Sequence, residues 1–169
     1  IPSSAPFAPE LWGQRICLLM TCYAGSEADG KHALAPLLDA LPEPHFNWMG
    51  TMPYPAVQSM FDALYPKGMQ WYWKGDFVKS LSDASIAAHL KHAAQTPSEL
   101  SLMHLYPIDG AVHRVGKSET AWHCRDATWS MVIAGIDADR QNAGAITKWA
   151  KSYWEGVHRF NEGGAYPNF

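Results

Sequence analysis

A chain of 169 residues that is 47% hydrophobic and 17% charged has enough apolar material for one folded core and too little charge for a disordered segment. Its formal net charge of -3 comes without a lysine or arginine cluster, so nothing electrostatic points to nucleic acid. Eight tryptophans are many for this length, and a surplus of aromatics suits a surface that covers an aromatic ligand or another domain. The three cysteines, Cys17, Cys22 and Cys124, make no disulfide framework, because Cys17 and Cys22 fall on opposite faces of an expected strand. The odd count fits a reducing compartment or buried thiols. No charged leader or long apolar run occurs in residues 1–10, so the expectation is a cytoplasmic protein without a membrane anchor.

In chain order, Pro2, Pro6 and Pro9 predict an extended lead-in over residues 1–12, as in a linker between domains. Arg15 to Tyr23 reads as a strand with Ile16, Leu18, Met20 and Cys22 on one face. Ser26 with Asp29 makes a capping box for a helix whose buried stripe is Leu34, Leu37, Leu38 and Leu41. Pro36 is expected to kink that helix or start a second segment, and Pro42 and Pro44 close it. A short strand over His45–Thr51 and a helix over Tyr54–Leu64 follow.

Met69 to Phe77 is an aromatic strand in which Gln70, Tyr72 and Lys74 oppose Trp71 and Trp73. Ser82 caps a helix expected to turn Ile86, Leu90, Ala93 and Ala94 inward. Glu99 to Tyr106 is the next strand, and Ile108–Ala111 a tight turn into a strand over Val112–Val115. Trp129 to Ile136 is too short for a membrane span and apolar enough for a central buried strand. Asp137 or Asp139 can cap the helix that follows, where Ile146, Trp149, Ala150, Tyr153, Val157 and Phe160 recur at helical spacing until Gly163-Gly164. These elements predict an α+β fold in two layers: one mainly antiparallel sheet of about five to seven strands, helices packed on one face, aromatics on the other.

The order of pieces along the chain carries a resemblance. Cys22-Tyr23-Ala24-Gly25, Met52-Pro53-Tyr54, Tyr72-Trp73-Lys74 and Leu81-Ser82-Asp83 lead to Arg125-Asp126-Ala127, the apolar strand, and the ending Gly163-Gly164-Ala165-Tyr166-Pro167-Asn168-Phe169. The set resembles the substrate-binding domain of the FAD-linked oxidases related to berberine bridge enzyme, in a bacterial version. The resemblance implies a parent with FAD held mainly by another domain of the same polypeptide. It makes residues 1–12 a linker from that domain and residues 13–169 a substrate-binding domain truncated at its C-terminal end. On this reading the isolated fragment is catalytically silent, binds no FAD and leaves Tyr166 on a frayed end, and its exposed sheet face is free to self-associate.

The resemblance also supplies roles. Tyr166 falls where the family has a flavin-side tyrosine that can act as base toward a substrate hydroxyl, with Asn168 beside it as a second cofactor contact. A tyrosine base working near neutrality needs positive charge close by, because a shift of about three units costs roughly 4 kcal/mol. Arg125 can supply it, and Tyr72, Trp73, His104 and Tyr106 can line a substrate face. The plainer readings stay open: a tail tyrosine packed on the glycine turn, an ion pair of Arg125 with Asp126 or Asp139, and core positions for the strand aromatics. The strand Trp129–Ile136 carries no acid, so ring closure of the berberine type is not implied.

No metal site is expected. His89 and His92 lack ligand partners at a suitable spacing and read as exposed helix histidines, and His104 as a core or cleft residue. Nor does the chain contain a glycine-rich phosphate loop. The alternative from a different class is a free-standing ferredoxin-like α+β dimer that binds a small ligand or haem.

Overall fold

The computed structural model describes Ile1 and residues 7–167, which divide into two compact units, Ile1–Tyr65 and Pro66–Phe169. In the first unit, helix α1 (Glu27–Asp39) starts at Ser26, whose Oγ accepts from the Asp29 N–H at 3.2 Å and donates to Asp29 Oδ2 at 2.6 Å. This is the serine half of the expected capping box, with the Asp29 carboxylate bonded to the Ser26 hydroxyl in place of the Ser26 backbone N–H. α1 runs through Pro36 as one helix, with no second segment starting there. Helix α2 (Tyr54–Ser59) is shorter than expected and gives way to a 3-10 turn at Asp62–Leu64. Residues 15–23 and 45–51, expected as strands, form no ladder, and Leu18, Met20 and Trp48 are exposed.

The second unit holds the sheet and is α+β. Strands β1 (Gln70–Val78), β2 (Leu102–Pro107) and β3 (Trp129–Asp137) lie in the order β1-β3-β2, both pairs antiparallel. Helix α3 (Asp83–Ala93) follows β1, one helical turn α4 (Ala111–Arg114) follows β2, and α5 (Ala143–His158) follows β3. Register fixes two faces. Tyr72, Lys74, Asp76 and Val78 share one face with Met131, Ile133 and Gly135 of β3 and with Met103 and Leu105 of β2. That face meets α5 through the stripe read from sequence, with Ile146, Trp149, Ala150, Tyr153 and Val157 all buried. Trp71, Trp73, Gly75 and Phe77 share the other face with Ser130, Val132 and Ala134 and with His104 and Tyr106.

Three strands among the described residues, against about five to seven expected, reflect what ends each ladder. β2 begins only at Leu102 because serine hydroxyls serve the backbone of β3 before it. Ser101 Oγ accepts from Ile136 N at 2.9 Å, and Ser98 Oγ donates to Ile136 O at 2.5 Å. β2 stops at Pro107, and Ile108 N then donates to Thr128 O at 2.7 Å, so the hairpin expected at Gly110 is replaced by α4. Asp139 caps the 3-10 turn Arg140–Asn142 that leads into α5 by accepting from Gln141 N at 2.9 Å.

α3 departs from its expected face. Ile86 and Leu90 are exposed, at 43% and 67%, while Ser85 and His89 are buried. The cause is Tyr153, fully buried on α5, whose hydroxyl donates to His89 O at 3.2 Å and lies 3.1 Å from His89 Nδ1. With the hydroxyl proton used on the carbonyl, Nδ1–H of His89 is the donor in the second bond. His92, expected to be exposed, is half-buried with its ring stacked on Tyr153 at 5.2 Å. A pair of polar contacts to one phenol therefore outweighs the apolar stripe in choosing which side of α3 faces α5.

Burial, and secondarily the neighbouring His92, lowers the pKa of His89. A histidine depressed in the folded state binds its proton more readily once unfolded, so stability should fall as pH drops below about 6.5 and level off below the folded pKa. Thermal melts between pH 8 and 5 should show this loss, and His89→Gln should flatten it.

Gly135 sits where α5 comes closest to β3, and a Cβ there would lie 2.7 Å from Ile146 O and 2.9 Å from Ile146 Cβ. Backbone cannot yield as a side chain can, so Gly135→Ala should cost about 1–3 kcal/mol, read by denaturant unfolding.

Candidate functional site

The face turned away from α5 carries most of the residues singled out from sequence. On β1, Trp71 and Trp73 lie two residues apart on that side with ring centroids 5.5 Å apart and planes 31° from parallel, each about two-fifths exposed. Across β3, on β2, His104 Nδ1 lies 2.6 Å from the Tyr106 hydroxyl. His104 and Tyr106 are both exposed, yet partial desolvation pushes the imidazole pKa down and the phenol pKa up. Both shifts favour the neutral forms of the imidazole and the phenol. Tyr72 goes to the other side, as alternation requires, and packs in the core with Lys151 Nζ 5.5 Å from its ring centre.

At the Phe77 end of this face a second cluster forms. Phe77, Ile108 and Ala127 are buried there, with Val112, Trp122, Cys124 and Tyr166 packed around them. Trp122 links the group: its ring is 5.2 Å from Phe77, edge-on, and 5.3 Å from Tyr166. Tyr166 is therefore seated on an aromatic neighbour, in contrast to the frayed end expected for it. Asn168 lies outside the described residues.

Arg125 borders the same cluster. Its Nη1 donates to Val112 O at 3.1 Å and its Nη2 to Thr120 Oγ1, while Asp126 pairs with Lys117. The expected ion pair of Arg125 with Asp126 or Asp139 is thus not formed; Arg125 braces the loop between α4 and β3. Together with Trp122, Pro107, Ile108, Asp109 and Val112 it lines a cleft of about 400 Å3. A larger cleft of about 510 Å3 lies between α3 and α5, floored by Ala84, Ala87, Ala88 and Gly156. It is on the helical side, and although His92 lines it, none of the residues given a substrate or cofactor role does, so the smaller cleft, beside Trp122 and hence Tyr166, is the candidate.

Sequence reading missed two features. Trp122 had no role assigned, although it joins Tyr166 to the sheet. Asp76 is 1% exposed on the helix-facing side of β1, where His158 Nδ1 donates to its Oδ2 at 2.7 Å and Asn161 Nδ2 at 3.1 Å. The signal was present: an acid at a core position of an alternating strand requires buried donors. Among the described residues no group of three or more His, Cys, Asp or Glu is placed to hold a metal, and no helix is long and apolar enough to cross a membrane.

The α+β unit thus has one helical and one aromatic face, with the Tyr166 tail packed at the end of the latter, a frame that suits more than one role. Comparison with known proteins narrows this. No family model matches the chain. It is similar to an FAD-linked oxidoreductase of Dictyostelium discoideum, with 22% identity over 138 residues, 78% of this chain and 29% of that protein. Among solved structures it is similar to a variant of BBE-like 1 from Physcomitrella patens, at 26% identity and a TM-score of 0.52, over 59% of this chain and 22% of that one. The chain thus spans less than a third of the length of either, and both likenesses support kinship with the FAD-linked, berberine bridge enzyme-like oxidoreductases.

The His104–Tyr106 pair can be checked directly. An NMR titration of the imidazole should give a midpoint below the ordinary value of about 6.5; a midpoint at or above it would show that the ring is fully hydrated.

Proposed function

We propose that this chain is the substrate-binding domain, residues 13–169 after a linker over 1–12, of an FAD-dependent oxidoreductase that oxidises an alcohol, sugar or similar hydroxylated small molecule. The observation that carries the reading is the aromatic face ending in the Phe77–Trp122–Tyr166 cluster, in a chain similar to an FAD-linked oxidoreductase. The flat faces of Trp71 and Trp73 fit a cover over a tricyclic ring such as a flavin. A pyrophosphate needs a cradle of backbone N–H groups at a glycine-rich turn, and we assign that to the other domain of the same polypeptide. When bound, the flavin supplies the hydride-accepting centre.

This chain's residues have the remaining tasks. Trp73 and Tyr106 confine the substrate, and the neutral His104–Tyr106 pair offers it hydrogen bonds. Tyr166, as its phenolate, takes the substrate hydroxyl proton, and Arg125 shapes the cleft beside it while adding the positive charge that a phenolate needs. Taken alone the chain is then inactive and holds no FAD, with self-association through the aromatic face as its expected behaviour. The cytoplasm is the compartment we propose. The ferredoxin-like haem or ligand dimer is favoured by no observation.

Two measurements test this. The chain purified alone should show no flavin absorption at about 450 nm, and bound FAD at one per chain would overturn the division of labour. In the flavin-bearing parent, Tyr166→Phe should lower kcat roughly 10²–10⁴-fold, the usual weight of a general base, with the flavin spectrum kept. An unchanged kcat would remove Tyr166 from the chemistry.

A further inference from the structure

Three consecutive residues of β1 each hold something in the C-terminal part of α5 or just after it. Gly75 O accepts from Trp154 Nε1 at 3.1 Å, the Asp76 carboxylate accepts from His158 and Asn161, and Phe77 O accepts from Glu162 N at 2.9 Å. The His158 ring is stacked on Trp154 at 4.0 Å, and the other carboxylate oxygen of Asp76 accepts from Phe77 N at 3.0 Å. Past this point the chain turns through Gly163 and Gly164, at φ +79° and +81°, where a side chain would be strained. Ala165 then packs against Gly75, and Tyr166 reaches Trp122.

We propose that Asp76 is a positioning residue: its buried carboxylate, through His158 and Asn161, holds the segment Glu162–Ala165 on the edge of β1 and so sets Tyr166 against Trp122. A core acid that served only to fill space would be replaced without loss by an apolar residue of its size. Here its two long-range donors both lie where α5 gives way to the tail. Asn161 is five residues before Tyr166, with two glycines between them that supply no rigidity of their own. The proposal rests on the reading of Tyr166 as the working tyrosine, but its test does not.

Amide hydrogen exchange of Glu162 reports the clamp, and the amides of Met131 and Ile133 in β3 report global stability. Asp76→Asn removes the charge and leaves one carbonyl oxygen for three donors, His158, Asn161 and Phe77 N; His158→Leu removes one donor; His158→Asn keeps an N–H near the place of Nδ1. Asp76→Asn and His158→Leu should each speed exchange at Glu162 by roughly tenfold or more, given the weight of charge-assisted bonds, with β3 amides unchanged. His158→Asn should stay within about threefold of the parent chain. Tyr166 should become more reactive toward nitration in the first two variants only. If Asp76→Asn does not fold, the two His158 variants decide the matter. Equal acceleration at Glu162 and β3, or none at Glu162, would overturn the proposal. An inert Tyr166→Phe in the flavin-bearing parent would instead overturn the functional reading and leave the clamp standing.

Discussion

The second unit depends on the close seating of α5 against β1 and β3. Gly135 removes the one Cβ that would keep the helix backbone away, and the stripe from Ile146 to Val157 then buries Met131, Ile133 and Val78 beneath it. A fully buried aliphatic side chain contributes about 1.5–3 kcal/mol, so this contact supplies most of the apolar stabilisation of the unit. Once it is set, the period of two in each strand leaves no choice about the rest. Trp71, Trp73 and Phe77 go to the other face because Tyr72, Asp76 and Val78 go to this one. The aromatic face is a consequence of the helical one.

The fold was legible where pattern and packing agree. The run Trp129–Ile136 and the helix after it are apolar in the right period, and the structure puts them at the centre as strand and cover. Legibility failed where a polar group decides an orientation. For α3 the apolar residues Ile86 and Leu90 suggest one inward face, yet Tyr153 recruits His89 and turns the helix by its hydrogen bonds. β2 is similar, since the short reach of Ser98 and Ser101 to Ile136 shortens a strand whose β-propensity continues upstream. Such bonds join residues more than thirty positions apart, a separation at which sequence periodicity carries no signal.

The candidate site divides in the same way. Trp73, His104 and Tyr106 could be placed on one side of the sheet only after the pairing of β1 and β2 with β3 was known, because alternation alone leaves the face open. Tyr166 entered by resemblance, and its neighbour Trp122 entered only from the structure. Arg125 illustrates the limit of reading charge from sequence. An arginine next to an aspartate suggests an ion pair, but Asp126 turns to Lys117 and the guanidinium is used on Val112 O and Thr120. Its planar fork of donors suits two fixed acceptors better than one mobile carboxylate at the surface.

Asp76 shows why a buried charge belongs in this core. Burying a carboxylate carries a desolvation cost that its partners only offset, and an apolar residue of similar size often serves stability as well or better. What a carboxylate does that an apolar residue cannot is to select among conformations by demanding donors at fixed positions. Its two long-range donors, His158 and Asn161, lie at the one junction in the second unit where a rigid helix passes into a double-glycine turn. Without them Val157 would still be buried and α5 would still sit on the sheet, but residues 162–166 would be held only by the Glu162–Phe77 backbone bond and the packing of Ala165 and Tyr166. The acid therefore governs placement of the tail more than cohesion of the core, and that separates its role from the roles of Tyr153 and Ile133 in the same layer.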